Sequence, residues 1–511
     1  MLQETIDRVL HETDEFIIAA MNKYTLPGLA VGIVRDGRLV YAKGFGLADA
    51  KAGRAVTADT VFRIASISKT FTAIGLMQLW EQGKFQLDDP VNDYLVAYKV
   101  QHRDPQAPPV TFRHLLTHTS GIGEFRTISD LFRFRRSFIG VREGESLPTL
   151  REYYGGRLTP ELYPEEKWAY ANHGFATVGQ LVEDISGEPF AQYMREHVFS
   201  PLGMERTDFL RSDRVCDELA VGYQGYQLKR GRLKPVDYLE NILRPASEIF
   251  SSVNEMARYV AALMNGGRNE YGAVLKPETL QMMMEPHYRV DERLTAMGLA
   301  FWLEDFDGHR IAWHGGEWPG FTSAMYVAPD DGLGIVVFTN VTSIALFGIA
   351  ASLMRRLLDV PDPVSQLPRP DILETPHLWA DLCGFYGPKP GFLTNARIWM
   401  MFGGEAEVFV KGNHLALRSL AGLVRKGIPL YPSDPSDPLA FQVVYENLPI
   451  SVVFKRNEAG QIDRLLAGAM GPATLYKRPT VESLRFRVTA VLAVLASLVA
   501  VALGWRRLRK C

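Results

Sequence analysis

Cysteine is scarce: Cys216, Cys383 and Cys511 are the only three in 511 residues, and they lie far apart. An odd, scattered set suggests neither a disulfide framework nor a zinc ribbon. Charge of one sign is lacking too. Fifty-six Lys and Arg against 58 Asp and Glu leave a formal net charge of −2, which argues against nucleic acid as the main partner. The first residues, MLQETIDRVLHETDEFIIAAM, are amphipathic and carry acidic groups throughout, so no secretory leader is expected there. GFGLAD, residues 44–49, lacks the third glycine of a nucleotide loop, and neither repeats nor low-complexity tracts are visible.

Long hydrophobic runs are nearly absent, with one exception. VTAVLAVLASLVAVALGW, Val488 to Trp505, carries no charge and shows no polar face. As a helix its 18 residues would span about 27 Å, slightly less than a bilayer core of about 30 Å. Arg485 and Arg487 before it, and Arg506, Arg507, Arg509 and Lys510 after it, could snorkel to make up the difference. The run predicts a single-pass C-terminal transmembrane helix over residues 486–507 with a basic tail, and so a membrane location. Basic residues at both ends leave the side of the membrane open.

What is present is a large apolar fraction, 47%, enough for a sizeable core and more than one domain. GLAVGIVRDGRLVYAKGFGLA, residues 28–48, reads as two strands around an Asp36-Gly37 turn. Helical segments run to about residue 265. Strands then return in HRIAWHGG and in GFTSAMYVAPDDGLGIVVFTN, a second hairpin turning at Pro329 to Gly332, before an apolar helix near 343–358. Strands at both ends with helices between predict an antiparallel sheet whose two sequence halves meet. Residues 360–377 are proline-rich and read as a linker; residues 378–480 are short alternating strands of a small β-barrel.

The chemistry concentrates in FRIASISKTFTAIGLMQLWEQGKF, Phe62 to Phe85, where Lys69 stands inside an otherwise buried-looking helix. Residues three apart share a helix face, so Ser66 and Lys69 are placed for contact while Ser68 points elsewhere. A serine hydroxyl is a poor nucleophile until a base takes its proton, and a lysine can do so if its surroundings disfavour the ammonium. Backbone N–H groups at this helix start could stabilise an oxyanion.

This stretch closely resembles the active-site helix of the serine β-lactamase and penicillin-binding-protein superfamily, in its class C-like branch of hydrolases and peptidases. VTFRHLLTHTSGI (110–122), EEKWAYANHGFATVGQLVEDISGEPF (165–190), PLGMERT and HGGEWPGFTSAMYVAPDDGLGIVVFTN follow in the family's order. The resemblance implies an α+β fold, a β-lactamase/transpeptidase-like antiparallel sheet flanked by helices over residues 1–359. It makes Ser66 the acylated nucleophile and Lys69 its base. Tyr170, in the Tyr-x-Asn element, would carry protons to the leaving group and activate the deacylating water. Asn172 would orient Lys69 and bond a substrate amide. The family's Lys-Thr-Gly reads His314-Gly315-Gly316 here, lining the site opposite the serine, with the Glu317 N–H as second oxyanion donor. A neutral histidine is a weaker carboxylate anchor than lysine. The barrel segment resembles, by domain order and strand pattern, the lipocalin-like domains of some family peptidases.

His114 and His118 have zinc-like i, i+4 spacing without the glutamate of a His-Glu-x-x-His protease, and read as structural residues near a helix end. FRTISDLFRFRRSFIGVRE, 125–143, is basic and aromatic and reads first as a solvated face, secondarily as a cleft border or membrane contact. The expectation is therefore a serine hydrolase cleaving small esters, or amides next to a D-amino acid, through a Ser66 ester. No metal or organic cofactor is expected. β-Lactam hydrolysis and a slowly acylated sensor or scaffold stay open as alternatives. Expected partners are the small ester or D-amino-acid peptide, the membrane and a second copy of the chain; nucleic acid is not among them.

Overall fold

The structure is a computed structural model. It describes residues 2–495 apart from 128, 131–139, 226–230, 365, 366, 368–378, 390, 421–423, 435, 447, 469, 470 and 493. Most of the proline-rich 360–377 stretch and the centre of the basic-aromatic 125–143 stretch thus lie outside the described residues. The chain forms two compact units, one of residues 1–366 and 446–448 and one of residues 367–445 and 449–511.

In the first unit, helix α1 (Leu2–Tyr24) precedes the hairpin of β1 (Gly28–Arg35) and β2 (Arg38–Asp49). Asp36 and Gly37 both take positive φ, 47° and 74°, the two left-handed residues that a tight hairpin turn requires. The second group of strands is β3 (Trp302–Phe306), β4 (His309–Trp318), β5 (Phe321–Ala328) and β6 (Leu333–Thr339). β1 pairs antiparallel with β6, from Leu29 opposite Thr339 to Arg35 opposite Leu333. That pairing joins the two ends of the unit's sequence. Short strands at both edges complete an eight-stranded sheet. β5 and β6 are buried along their whole length, as expected of strands covered on both faces. On one face α6 (Ala345–Leu357) packs against β5 and β6.

The helical segments between the strand groups include α2 (Ser68–Glu81), α3 (Phe112–Leu116), α4 (Asn172–Ser186) and α5 (Val253–Met264). α2 is buried nearly all round, which marks a central helix rather than a surface one. It packs chiefly against α4, and Phe71 stacks on Tyr259 of α5 at 3.7 Å.

The second unit holds a nine-stranded sheet whose two edge strands are Ile428–Pro429 and Tyr431–Pro432. Only Leu430 separates these edges in sequence, so the sheet curls round until its ends nearly meet. Leu415, Leu417, Phe441, Val452, Phe454 and Leu465 fill its core.

The C-terminus corrects one expectation. Among the described residues no helix is long and apolar enough to cross a membrane. A helix begins at residue 484, just ahead of the hydrophobic run. Its first turn is tied to protein: the Leu484 N–H donates to Glu405, and Arg485 pairs with Glu407 at 2.9 Å. The single-pass anchor over residues 486–507, and with it the membrane location, is withdrawn; residues 496–511 lie outside the described set.

Candidate active site

Ser66 sits in a 3₁₀ turn, Ala65–Ile67, that runs directly into α2. In such a turn residues three apart eclipse one another, which brings Lys69 over Ser66. Ala65 adopts φ 47°, a conformation a non-glycine residue holds only when its surroundings over-determine it. Two neighbours do so. Ser68 Oγ donates to Ala65 O at 2.6 Å and accepts the Ile249 N–H at 3.0 Å, so Ser68 points away from Lys69 and braces the turn. Ser66 is the one residue between Val61 and Met77 that is not buried.

Lys69 is fully buried. Its Nζ lies 3.1 Å from Ser66 Oγ, 2.7 Å from Asn172 Oδ1 and 2.8 Å from the Ala246 carbonyl. It also stands 4.8 Å from the centroid of the Tyr170 ring. Asn172 opens α4, and Tyr170 lies in the extended segment before it. The Tyr170 ring stacks on His118 at 4.3 Å, and His118 Nδ1 accepts the Ala171 N–H at 3.1 Å. His118 thus positions the Tyr-x-Asn element. His114 instead caps α3, completing a capping box with Thr111.

The opposite wall is β4. Alternation along a strand puts His314 and Gly316 on one face and Gly315 on the other. A Cβ on Gly315 would lie 2.4 Å from the Phe347 ring of α6, and one on Gly316 would lie 2.1 Å from Ile64 O and 3.0 Å from Ser66 N. Gly316 therefore lets the strand backbone approach the Ser66 amide. His314 is buried on that same face, with Nδ1 2.7 Å from Gly315 O, and Glu317 follows with its side chain exposed.

Beneath the site, Arg63 and Glu248 form a buried ion pair at 2.9 Å, the guanidinium lying 4.2 Å from the Trp318 ring centroid. Burial pushes the Glu248 carboxyl up, to about 7, against the pull of Arg63. Arg63 also donates to Leu239 O. These bonds stitch the Arg63–Ser66 segment to the stretch around the short helix Arg244–Ser247 that bears Ala246. Nearby, His173 is buried with Tyr154 Oη 3.0 Å from its Nδ1, and burial lowers its pKa to about 3, so the ring stays neutral.

Ser66, Lys69, Tyr170 and Asn172 thus lie together and Gly316 lies against the Ser66 amide; spacing pointed to the Ser66–Lys69 contact, and the resemblance to the other three. Sequence reasoning missed Ala246, whose carbonyl has no motif to announce it, and Glu124, whose Oε1 accepts from Asn172 Nδ2 at 2.9 Å. The HTSGI segment was the available signal for His118 and for Glu124 just beyond it.

The family profile described as Beta-lactamase matches residues 13–356. Among curated proteins the chain is similar to Protein flp of Staphylococcus aureus, 23% identical over 337 residues, 65% of this chain and 63% of that protein. It is also similar to Esterase EstB of Burkholderia gladioli, 30% identical over 264 residues, 50% of this chain and 64% of that one. The chain thus spans a little under two thirds of these two relatives. Among solved structures, the octameric penicillin-binding protein homologue from Pyrococcus abyssi shares the fold, with TM-score 0.61 and 24% identity over 91% of this chain and 99% of that one. With the matching profile covering most of the first unit, the chain belongs to the Beta-lactamase family and is a serine hydrolase.

Proposed function

We propose that the chain hydrolyses small esters, or amides next to a D-amino acid, through a covalent Ser66 acyl-enzyme. The observation that carries this reading is the setting of Lys69 Nζ. Asn172 Oδ1 and Ala246 O can only accept, so each takes an N–H from the amine. A neutral Lys69 held by these two bonds turns its lone pair toward Ser66 Oγ and takes the hydroxyl proton as Oγ attacks the carbonyl carbon. The Ser66 N–H and, one residue past Gly316, the Glu317 N–H would receive the developing oxyanion. Tyr170, packed against Lys69, would pass the proton to the leaving group and then activate the water that cleaves the ester. His314 stands where a lysine would anchor a carboxylate, which favours esters and weakly anionic amides over carboxylate-bearing β-lactams.

The resemblance to an esterase of Burkholderia gladioli supports the ester half of the reading. The fold shared with a structure of SurE with D-Leu, TM-score 0.57 and 20% identity, is compatible with the D-amino-acid half. For the second unit we propose a lipocalin-like assignment over residues 378–480, supported by its nearly closed sheet; its side-chain-filled core favours a packing role. Assembly into homo-oligomers is proposed by analogy with the octameric relative.

The test is intact-protein mass after exposure to a fluorophosphonate, a nitrophenyl ester, a D-alanyl peptide and a penicillin, with adducts mapped by peptide. A fluorophosphonate adduct on Ser66, ester or D-peptide turnover, and loss of nearly all turnover in folded Ser66→Ala support the reading. A lasting penicillin adduct without turnover supports a sensor instead, and turnover surviving in Ser66→Ala refutes the assignment.

A further inference from the structure

Gly316 of β4 and Ser323 of β5 are cross-strand partners, so the two positions share one face of the sheet. On that face glycine leaves an opening, and the Ser323 hydroxyl reaches into it: its Oγ would lie 2.4 Å from a Cβ on Gly316. Ser323 is fully buried, and its Oγ donates to the Ile64 carbonyl at 2.7 Å. A carbonyl oxygen only accepts, so the hydroxyl proton is committed to this bond.

The bond lands two residues before Ser66. The Ile64 N–H donates to Ile249 O at 2.9 Å, while the other bond that the Ile64 carbonyl accepts, from the Ile67 N–H, is longer at 3.3 Å. The next carbonyl, Ala65 O, is held by Ser68 Oγ at 2.6 Å. Two buried hydroxyls thus grip the successive peptide planes on either side of Ala65, whose φ of 47° is a strained conformation for alanine. The second of those planes carries the Ser66 N–H. On the strand side, Glu317 lies between two points where β4 is fastened to the same segment: Gly316, which abuts Ile64 O, and Trp318, whose ring centroid is 4.2 Å from the Arg63 guanidinium.

We propose that Ser323 is a positioning residue: its bond to the Ile64 carbonyl sets the distance between the Ser66 N–H on the turn and the Glu317 N–H on β4, the two donors that would receive the oxyanion. The inference rests on the Ser66 hydrolase reading and adds to it a residue that no motif marks. Without the hydroxyl, the Ile64–Ala65 peptide loses its shortest carbonyl restraint. The strained Ala65 torsion can then relax, which turns the adjoining Ser66 N–H off the oxyanion position. Oxyanion donors act when held about 2.7–3.1 Å from the developing charge, and a misplacement of about 1 Å costs about 10²-fold in rate.

The experiment measures kcat and KM of the full chain and of Ser323→Ala for 4-nitrophenyl acetate and for the matching thionoester, in which sulfur replaces the carbonyl oxygen. Fluorophosphonate labelling of Ser66, run to completion, counts competent sites. Sulfur is a weak hydrogen-bond acceptor, so the ratio of oxo-ester to thionoester rates reports how well the two N–H groups are aimed, whatever fraction of the protein is folded. Ser323→Ala should lower kcat for the oxo ester by about 10²-fold with KM within a few-fold, and should lower the ratio by at least about tenfold. Ser323→Cys, close in size and a weak donor, should fall between parent and alanine, and it decides the matter if the alanine variant does not fold. A parental kcat in the folded variant, or a lower kcat with an unchanged ratio, overturns the positioning role while leaving the hydrolase reading in place. No turnover of either ester and no fluorophosphonate adduct on Ser66 in the unaltered protein overturn both.

Discussion

Gly316→Ala tests the close approach of β4 to Ser66. The Gly316 backbone is not in the left-handed region, so alanine meets no torsional objection, and only space decides. The added Cβ would lie 2.1 Å from Ile64 O, 2.4 Å from Ser323 Oγ and 3.0 Å from Ser66 N. A relaxed C···O contact needs about 3.3 Å, so the strand and the Ser66 turn must separate by roughly 1 Å. Ser323 cannot step aside freely, because its Oγ donates to that same Ile64 carbonyl at 2.7 Å. A displacement of this size costs about 10²-fold in rate, and losing an oxyanion donor costs about 10²- to 10³-fold. The expected kcat for nitrophenyl acetate is accordingly lower by about two to three orders of magnitude. Overpacking should cost about 1–3 kcal/mol of stability, visible as a lower melting temperature in a protein that still folds. The rate of fluorophosphonate labelling at Ser66 should fall with kcat. Gly315→Ala is the paired control, since its Cβ meets the Phe347 ring at 2.4 Å on the opposite face. It should lower the melting temperature while kcat per folded molecule stays within a few-fold. A Gly316→Ala enzyme within threefold of the parent would refute the argument that this strand shapes the site.

Three further outcomes follow from the same geometry. Arg63→Met leaves Glu248 buried without its 2.9 Å partner and should cost about 3–5 kcal/mol by denaturant titration; a loss below 1 kcal/mol would show that the pair is not structural. Asn172→Leu removes the bonds to both Lys69 and Glu124 and should lower kcat by at least about 10²-fold with a near-parental melting temperature; unchanged kcat would remove Asn172 from the mechanism. His173, held near 3 by burial against an ordinary 6.5, binds its proton more readily unfolded than folded. Its contribution is therefore complete above about pH 6.5 and is lost as pH falls toward 3, at about 1.4 kcal/mol per pH unit. His173→Gln, which keeps an acceptor for Tyr154, should flatten that acid limb, and an identical pH profile would refute the assignment.

The sheet and the core of the site were legible because their signals are local. Asp36-Gly37 between alternating strands can make few structures other than a hairpin, and Ser66 and Lys69 meet because a single turn separates them. Even the lysine's burial, 0% exposed, could be read from its apolar neighbours. The C-terminal run failed as an anchor for the opposite reason. Apolar composition alone implied a span, while the grip of Glu405 and Glu407 on the first turn of its helix comes from residues some 80 positions away in sequence.

What stayed hidden is what holds Lys69 in place. The Ala246 carbonyl is 177 residues from the lysine it binds, and every residue type offers the same backbone oxygen, so no side chain marks the position. It is fixed indirectly, by pairing of Phe62-Arg63 with Phe250-Ser251, by the Arg63–Glu248 ion pair and by the Ser68 bond to Ile249. Each anchor is unremarkable when read alone. Together they hold an acceptor-only oxygen 2.8 Å from the amine, which fixes the orientation of the buried lysine beside Ser66. The motif marks Ser66 and Lys69; the distant short helix Arg244–Ser247 supplies the oxygen that holds the lysine.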